Sequence, residues 1–127
     1  MPWRSLTHRT DFHEVYEHGA KRVGRLLVVY LLPAGDLARS VVASRKVGGA
    51  VQRNRAKRLL REALRNGPLA DSENVPGVRA RFFPETGGPE VNPAGEDGLW
   101  IVLVARQRIL TAGAREVLEE FTELLAG

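Results

Sequence analysis

One segment of the chain combines a helical spacing of apolar residues with a polar face made almost entirely of cations. From Arg39 to Arg65 the sequence holds nine Lys and Arg residues and a single acid, Glu62. A solvated helix usually mixes charges of both signs, because opposite charges one turn apart attract each other. Like charges packed this densely repel each other and destabilise the compact state. The segment therefore predicts a helix that binds a polyanion.

The rest of the composition narrows the class of protein. The 127 residues suffice for one domain with a modest core, and the formal net charge is +4. There are no cysteines, which excludes disulfides and thiolate metal sites. No apolar run approaches the ~18 residues of a membrane span. We expect a single cytoplasmic domain over 1–127, with no membrane contact and one side facing a nucleic acid.

Hydrophobic periodicity predicts the order helix, strand, strand, helix, strand, helix, with no internal repeat, and hence a two-layer α/β (α+β) fold. We expect Thr10 and Thr111 to cap the first and last helices, and 33–36 to join the first two strands as a hairpin. The first strand should be buried on both faces for much of its length, and the third should be central. The predicted elements are a helix at 10–18, strands at 25–32 and 39–44, a basic helix that follows a loop at 47–50 and ends at 66–68, a strand at 99–105 and a helix at 112–125.

Residues 67–97 differ in character from the rest of the chain. They are rich in proline and glycine and show little periodicity. An irregular segment of this length is uncommon inside a compact domain. We expect a long, partly disordered insertion, in which 79–83 forms either a short strand or a loose contact element.

Two faces can be assigned to the basic helix. Its core-facing stripe is predicted to be Ala56, Leu59, Leu60, Ala63 and Leu64. The outer face carries a row of cations four residues apart and three flanking polar residues: Arg53, Lys57, Arg61 and Arg65, with Asn54, Arg55 and Arg58. Neighbours in such a row lie ~6 Å apart, close to the phosphate spacing of a nucleic-acid strand.

Aromatic residues provide a second candidate surface. Phe12 and Tyr16 share one face of the first helix, and Val28 and Tyr30 alternate on the first strand. These side chains either belong to the core, which spacing alone favours, or line a groove that stacks unpaired bases. The two tyrosines favour the groove, because a buried hydroxyl needs a hydrogen-bonding partner.

The sequence contains no recognisable active site of its own. His8, His13 and His18 are five residues apart, so on a helix their rings cannot converge on one metal ion. There is no nucleophile motif and no phosphate-binding glycine loop. Four glutamates of the last segment have the spacing of an exposed helix face, and we interpret them as solubilising: Glu116, Glu119, Glu120 and Glu123.

The basic segment resembles a known family. Residues 46–61 are similar to the signature K-x-G-x-A-V-x-R-N-R-x-K-R-x-x-R of the bacterial ribonuclease P protein subunit. Residues 11–19 also resemble the family's first helix, and 97–106 resemble its apolar strand that ends in Ala-Arg. The chain departs from the family at Gly49, where Asn is usual, and in the unusual length of 67–96.

The resemblance implies a particular fold. It is a mixed sheet of about four strands with helices packed on it, of the ribosomal protein S5 domain 2-like type. It also contains a left-handed βαβ crossover, although such crossovers are right-handed as a rule.

The resemblance also implies a function, which is to assist the catalytic RNA of ribonuclease P in removing the 5′ leader of precursor tRNA. One protein would bind one RNA. The RNA would hold the Mg²⁺ and perform the cleavage, so the protein would have no catalytic residue, no metal site and no organic cofactor. The residues expected to contact the catalytic RNA are Arg45, Lys46, Gly48, Arg53, Asn54, Arg55, Lys57, Arg58, Arg61 and Arg65. The leader would lie in a cleft formed by Phe12, Tyr16, Val28 and Tyr30.

Three other interpretations stay open at this point. A ribosomal or RNA-assembly protein would bind structured rRNA and would need no cleft for a single strand. A stand-alone endonuclease would cut precursor tRNA without an RNA subunit. A helix-turn-helix DNA-binding protein would need a second helix next to the basic one, and the sequence offers no good candidate.

Overall fold

The computed structural model of the protein describes residues 3–84 and 97–127, which contain five strands and four α-helices. In chain order the elements are β1 (Arg4–Ser5), α1 (Arg9–His18), β2 (Ala20–Val23), β3 (Leu27–Ala34), β4 (Leu37–Val42), α2 (Ala50–Asn66), α3 (Val75–Phe82), β5 (Gly98–Ala105) and α4 (Ala114–Leu125). Short 3-10 helices at Ser72–Asn74 and Gln107–Thr111 precede α3 and α4. All six predicted elements are present, and β1, β2 and α3 were not predicted.

The five strands form one mixed sheet in the order β1-β4-β5-β3-β2. The strand β5 pairs parallel with β4 and antiparallel with β3. It is therefore central in the sheet, as its continuous apolar sequence predicts. The predicted β3–β4 hairpin is wrong, because β5 lies between these two strands. A strand that is apolar throughout gains most from a neighbour on each side, and a local turn does not outweigh that gain. The units β4, α2 and β5 form the βαβ crossover that the family resemblance implies.

The two faces of the sheet are covered unequally. Leu27, Val29 and Leu31 of β3 face the main core, which contains buried residues of α2, α3 and α4. The predicted core stripe of α2 is confirmed, since all five of its residues are buried. The opposite face carries α1 over a smaller cluster that includes Val15 and Val102. The residues of β3 on that face are only half-buried, so the prediction that this strand is buried on both faces for much of its length was wrong.

The cap predictions for the first and last helices were wrong. The chain enters α1 at His8, so Thr10 lies inside the first turn. The N-cap of α4 is Gly113, whose N–H donates to Glu116. Thr111 instead ends the preceding 3-10 helix, where its hydroxyl donates to the carbonyl of Arg108 at 2.9 Å.

Residues 67–84, the described part of the segment after α2, contain regular structure. Residues 75–82 form α3, so the prediction of an irregular stretch with a strand or loose element at 79–83 was wrong here. Val75 and Val78 are buried in the main core at helical spacing, and Pro76 suits the first turn of a helix. Arg79 is also buried and donates to the carbonyl of Gly98. The part of the predicted insertion at 85–96 lies outside the described residues.

Glu120 anchors the turn between β2 and β3. Its carboxylate accepts hydrogen bonds from the backbone N–H groups of Arg25, Leu26 and Leu27, at 2.9, 2.8 and 3.0 Å. The carboxylate also approaches Gly24 so closely that a Cβ there would lie 2.5 Å from Oε2. Glu120 is therefore a structural residue, and its predicted solubilising role was wrong.

Replacing Glu120 should destabilise the fold. We expect Glu120→Ala to lower the free energy of unfolding by about 2–4 kcal/mol, because it removes hydrogen bonds to a charged acceptor and leaves backbone donors near the core unpaired. Glu123→Ala, on the exposed side of the same helix, should change the value by less than about 0.5 kcal/mol. Urea denaturation measures both, and equal effects of the two substitutions would contradict the anchoring role.

Asp36 joins β1 to the centre of the sheet. Its carboxylate accepts from the Arg4 guanidinium and, at 2.8 Å, from the indole N–H of Trp100. The hydrogen bond from Arg4, followed by the one from Trp100, holds the pKa of Asp36 below its usual value of 3.8. A carboxyl whose pKa is lowered by folding stabilises the native state above its unfolded pKa and loses that contribution as the pH falls through its folded pKa.

The stability difference between wild type and Asp36→Asn should therefore depend on pH. We expect the variant to be less stable at pH 7, and the difference to shrink as the pH falls below about 4, where the wild-type carboxyl also becomes neutral. Urea denaturation between pH 7 and pH 2 measures the difference, with Glu123→Gln as a control for an exposed carboxyl. A difference that stays constant over this range would show that the charge of Asp36 contributes nothing.

Candidate nucleic-acid interface

A tight loop leads from β4 into α2 and presents two cations beside the start of the helix. The N–H of Val47 donates to the carbonyl of Ser44 at 3.0 Å, and the Val47 side chain is buried. Gly48 has φ of +151°, a conformation that residues with a side chain rarely adopt. Arg45 and Lys46 are exposed on this loop. The turn and the buried valine fix the loop's backbone, so both cations start from a defined position.

The predicted RNA-contacting residues lie together on this loop and on the outer face of α2. Seven of them are exposed: Arg45, Lys46, Asn54, Arg55, Arg58, Arg61 and Arg65. Gly48, Arg53 and Lys57 are half-buried. The five apolar residues of the core stripe hold the opposite face of the helix, so the cations are presented on a rigid element.

The positive charge of α2 is not neutralised within the described residues. Over residues 3–84 and 97–127, no carboxylate oxygen comes within 4.0 Å of a Lys or Arg nitrogen of this helix. Three glutamates of α4 act elsewhere, since Glu116 accepts from Gly113, Glu119 pairs with Arg115 and Glu120 anchors the β2–β3 turn. The cations of α2 therefore remain available to a polyanionic partner.

The four predicted cleft residues are brought together by α1 and β3. The ring centroids of Tyr16 and Tyr30 are 4.8 Å apart in an edge-to-face arrangement, and those of Phe12 and Tyr16 are 6.3 Å apart. Tyr16 is 40% exposed, whereas the other three residues are half-buried. Burial, followed by the proximity of Tyr30, raises the pKa of the Tyr16 hydroxyl above its ordinary value of 10.0.

The strand register extends this aromatic group into a strip across the sheet. Val28 pairs with Val104 on one side and with Val23 on the other, and Val104 pairs in turn with Val42. These valines therefore form one row, adjacent to Tyr30 and on the same face of the sheet. Val23 is 56% exposed and the others are half-buried. Of the cleft residues, Phe12 and Tyr30 pack against the small cluster under α1, and Val28 belongs to the open apolar strip.

Lys21 belongs to the same strip and was missed in the sequence. It pairs with Tyr30 across the β2–β3 ladder, and its Nζ lies 5.7 Å from the centroid of the Tyr30 ring. A cation beside an aromatic ring suits a surface that meets both bases and phosphates. Sequence spacing could not reveal this neighbour, because β2 is short and polar and its pairing with β3 is set by the fold.

A separate group of arginines lies where β3 begins and β5 ends. Arg25, Arg106 and Arg108 line a recess of about 390 Å³ together with Gln107. The Arg106 guanidinium donates to the carbonyl of Gly24 at 2.7 Å, which ties it to the turn that Glu120 anchors. This group was also missed, because its members come from distant parts of the chain.

Comparison with known proteins identifies the family. The model of the family described as "Ribonuclease P" matches residues 3–73, which is more than half of the chain. The chain belongs to the ribonuclease P protein family. The matched region contains α1, β1–β4, α2 and the basic loop, and so includes the cationic face of α2 and all four predicted cleft residues.

Several relatives carry the description "Ribonuclease P protein component". The one from a Nitratiruptor species is 41% identical over 122 residues, which cover 96% of this chain and 89% of the relative. The one from Dehalococcoides mccartyi is 47% identical over 72 residues, or 55% of this chain, and the match spans only 60% of that relative's length.

Solved structures of the family confirm the fold. The ribonuclease P protein of Staphylococcus aureus superposes with a TM-score of 0.66 at 19% identity, covering 96% of this chain and 92% of the other. The protein of Thermotoga maritima gives 0.65 at 23% identity, covering 96% and 94%. The fold class predicted from the resemblance is thus confirmed, with five strands in the described residues where about four were expected. Within 3–84 and 97–127, every helix is too short or too polar to traverse a lipid bilayer.

Proposed function

We propose that this protein is the non-catalytic subunit of a ribonuclease P ribonucleoprotein that removes the 5′ leader of precursor tRNA. Family membership supports its place in that endoribonuclease complex. The observation that carries the proposal is the cationic face of α2, which no carboxylate in the described residues neutralises. A surface of this kind is adapted to a phosphate backbone rather than to chemistry on a small substrate.

The basic loop and α2 would bind the catalytic RNA. Their cations would displace counterions from the RNA and reduce repulsion between it and the precursor tRNA, which is itself a polyanion. The reaction would then need less Mg²⁺. We propose that the RNA holds most of the Mg²⁺ ions. We propose one protein per RNA.

The strip between α1 and the sheet would hold the single-stranded leader. Tyr16 is exposed enough to stack on a base. Its edge-to-face contact with Tyr30 would hold the Tyr16 ring in place. Stacking on an aromatic ring is tolerant of sequence, because every base has a π face. This tolerance suits a substrate class whose leaders differ in sequence. A ribosomal protein that binds structured rRNA would not use such a strip, which disfavours that alternative.

Neutralising two exposed arginines of α2 tests the binding to catalytic RNA. We expect Arg55→Gln/Arg58→Gln to raise the Kd for a bacterial ribonuclease P RNA on the order of 10- to 100-fold and to reduce the salt dependence by roughly two ion equivalents. Activity reconstituted at low Mg²⁺ should fall in parallel. Arg9→Gln/Arg115→Gln removes the same charge from α1 and α4 and should have little effect. Similar losses in the two double variants would contradict a specific role of α2.

Truncating Tyr16 tests the leader strip. We expect Tyr16→Ala to weaken binding of precursor tRNA to the reconstituted holoenzyme on the order of 5- to 100-fold, the value of one lost base–aromatic stack. Binding of mature tRNA, which lacks the leader, should not change. Tyr16→Phe keeps the ring and should bind precursor tRNA nearly as well as the wild type. Equal weakening for both tRNAs would refute a contact with the leader.

A further inference from the structure

A recess at the C-terminal half of α2 brings together arginines from two elements. It has a volume of about 270 Å³ and lies between the helix and the edge of the sheet formed by β4 and β1. Its lining residues are Ser5, Arg39, Ser40, Val41, Arg61, Leu64 and Arg65. None of them is acidic, so three guanidinium groups surround a space without a counter-charge in its wall.

The fold itself produces this convergence. Arg61 and Arg65 are one helical turn apart, which places their side chains ~6 Å from each other on the same flank of α2. Arg39 comes from β4, where its neighbour Ala38 belongs to the cluster under α1 and Val41 packs against the main core. Arg39 and Val41 are two residues apart on the strand and share a face, so Arg39 lies on the same side of the sheet as α2.

Arg39 is held in place by the first residues of the described chain. Its guanidinium carbon lies 5.8 Å from the centroid of the Trp3 ring, and its backbone carbonyl accepts from the N–H of Leu6 at 3.1 Å. Ser5 pairs with Arg39 in the parallel β1–β4 ladder. Stacking on an aromatic ring restricts a long side chain before any ligand arrives, which lowers the entropic cost of binding.

The three guanidinium groups are not neutralised by the described residues. Across the described part of the chain, Arg39, Arg61 and Arg65 form no ion pair with any carboxylate. Planar guanidinium forks match the geometry of phosphate oxygens and bind them by paired, charge-assisted hydrogen bonds. Phosphate is therefore an anion that this recess is suited to bind.

We propose that the recess binds a backbone phosphate of RNA, and that the RNA-binding surface continues from α2 onto β4 through Arg39. Arg61 and Arg65 form the end of the cationic row of α2 that starts at Arg53, so one polyanion can occupy both the row and the recess. The inference rests on the proposed function, since the RNA is the same partner. It adds a contact from the sheet edge that the signature of the basic helix does not contain.

The experiment compares single charge removals at the recess and far from it. The Kd for a bacterial ribonuclease P RNA is measured at several salt concentrations for Arg39→Gln, Arg65→Gln and the control Arg115→Gln. We expect the first two to raise the Kd about 3- to 10-fold and to lower the salt dependence by roughly one ion equivalent each, with no change for the control. Arg39→Lys keeps the charge and should restore the salt dependence but only part of the affinity.

A second measurement locates the phosphate. Inorganic phosphate is titrated into the wild-type protein while the side-chain N–H signals of the arginines are followed by NMR. We expect the Arg39 and Arg65 signals to shift together along one binding curve and the Arg115 signal to stay in place. Thermal unfolding of each variant identifies any loss of fold. If Arg39→Gln destabilises the protein by loosening the contact with Trp3, the Kd of Arg65→Gln provides the affinity test.

The outcomes separate this inference from the proposed function. If Arg39→Gln and Arg65→Gln bind RNA like the control while Arg55→Gln/Arg58→Gln loses binding, the recess inference is overturned and the proposed function stands. If none of these variants affects RNA binding, the proposed function fails as well. Phosphate binding at Arg39 without any effect on RNA affinity would mark a site for a free anion and would also overturn the inference.

Discussion

The attachment of α2 to the sheet is the interaction on which the rest of the structure depends. Its outer face gathers cations that repel each other by about 0.2–0.5 kcal/mol for each like pair one turn apart. Its inner face buries Leu59, Leu60 and Leu64, and each leucine contributes about 1.5–3 kcal/mol. Burial exceeds repulsion by a wide margin, so the helix stays folded although no carboxylate of residues 3–84 and 97–127 pairs with its cations. Because burial of the leucines alone stabilises the helix, its cations remain available to bind a partner.

Periodicity in the sequence predicted the elements that bury a long apolar pattern, and it failed where pairing or a distant polar contact decides the structure. The helices α1, α2 and α4 and the strand β5 each carry such a pattern, and all four are present. In contrast, β1 has two residues and β2 has four, of which two are charged, so both form only because a neighbouring strand offers hydrogen bonds. Glu120 has the spacing of an exposed residue, and only the position of the β2–β3 turn shows what it binds.

The residues of the candidate site also differ in whether the sequence could predict them. The contacts proposed for α2 could be predicted because they lie within one helix, where spacing alone determines which residues share a face. Lys21 beside Tyr30, and Arg39 beside Arg65, could not be predicted, because each pair joins elements whose register is fixed by tertiary structure. The centre of the basic surface could therefore be predicted from the sequence, whereas Lys21 and Arg39, which border the two surfaces, could not.

The connection between β4 and α2 determines how the two surfaces relate. The valine row ends on β4 at Val42, on the face that carries α1, whereas α2 packs on the opposite face. The chain passes from one face to the other through the loop that carries Arg45 and Lys46, and the positive φ of Gly48 allows this change of direction within a few residues. A leader lying on the strip and an RNA backbone lying along α2 would approach each other at this loop. Two cations are most useful at that point, because two phosphate chains repel each other most strongly where they come closest.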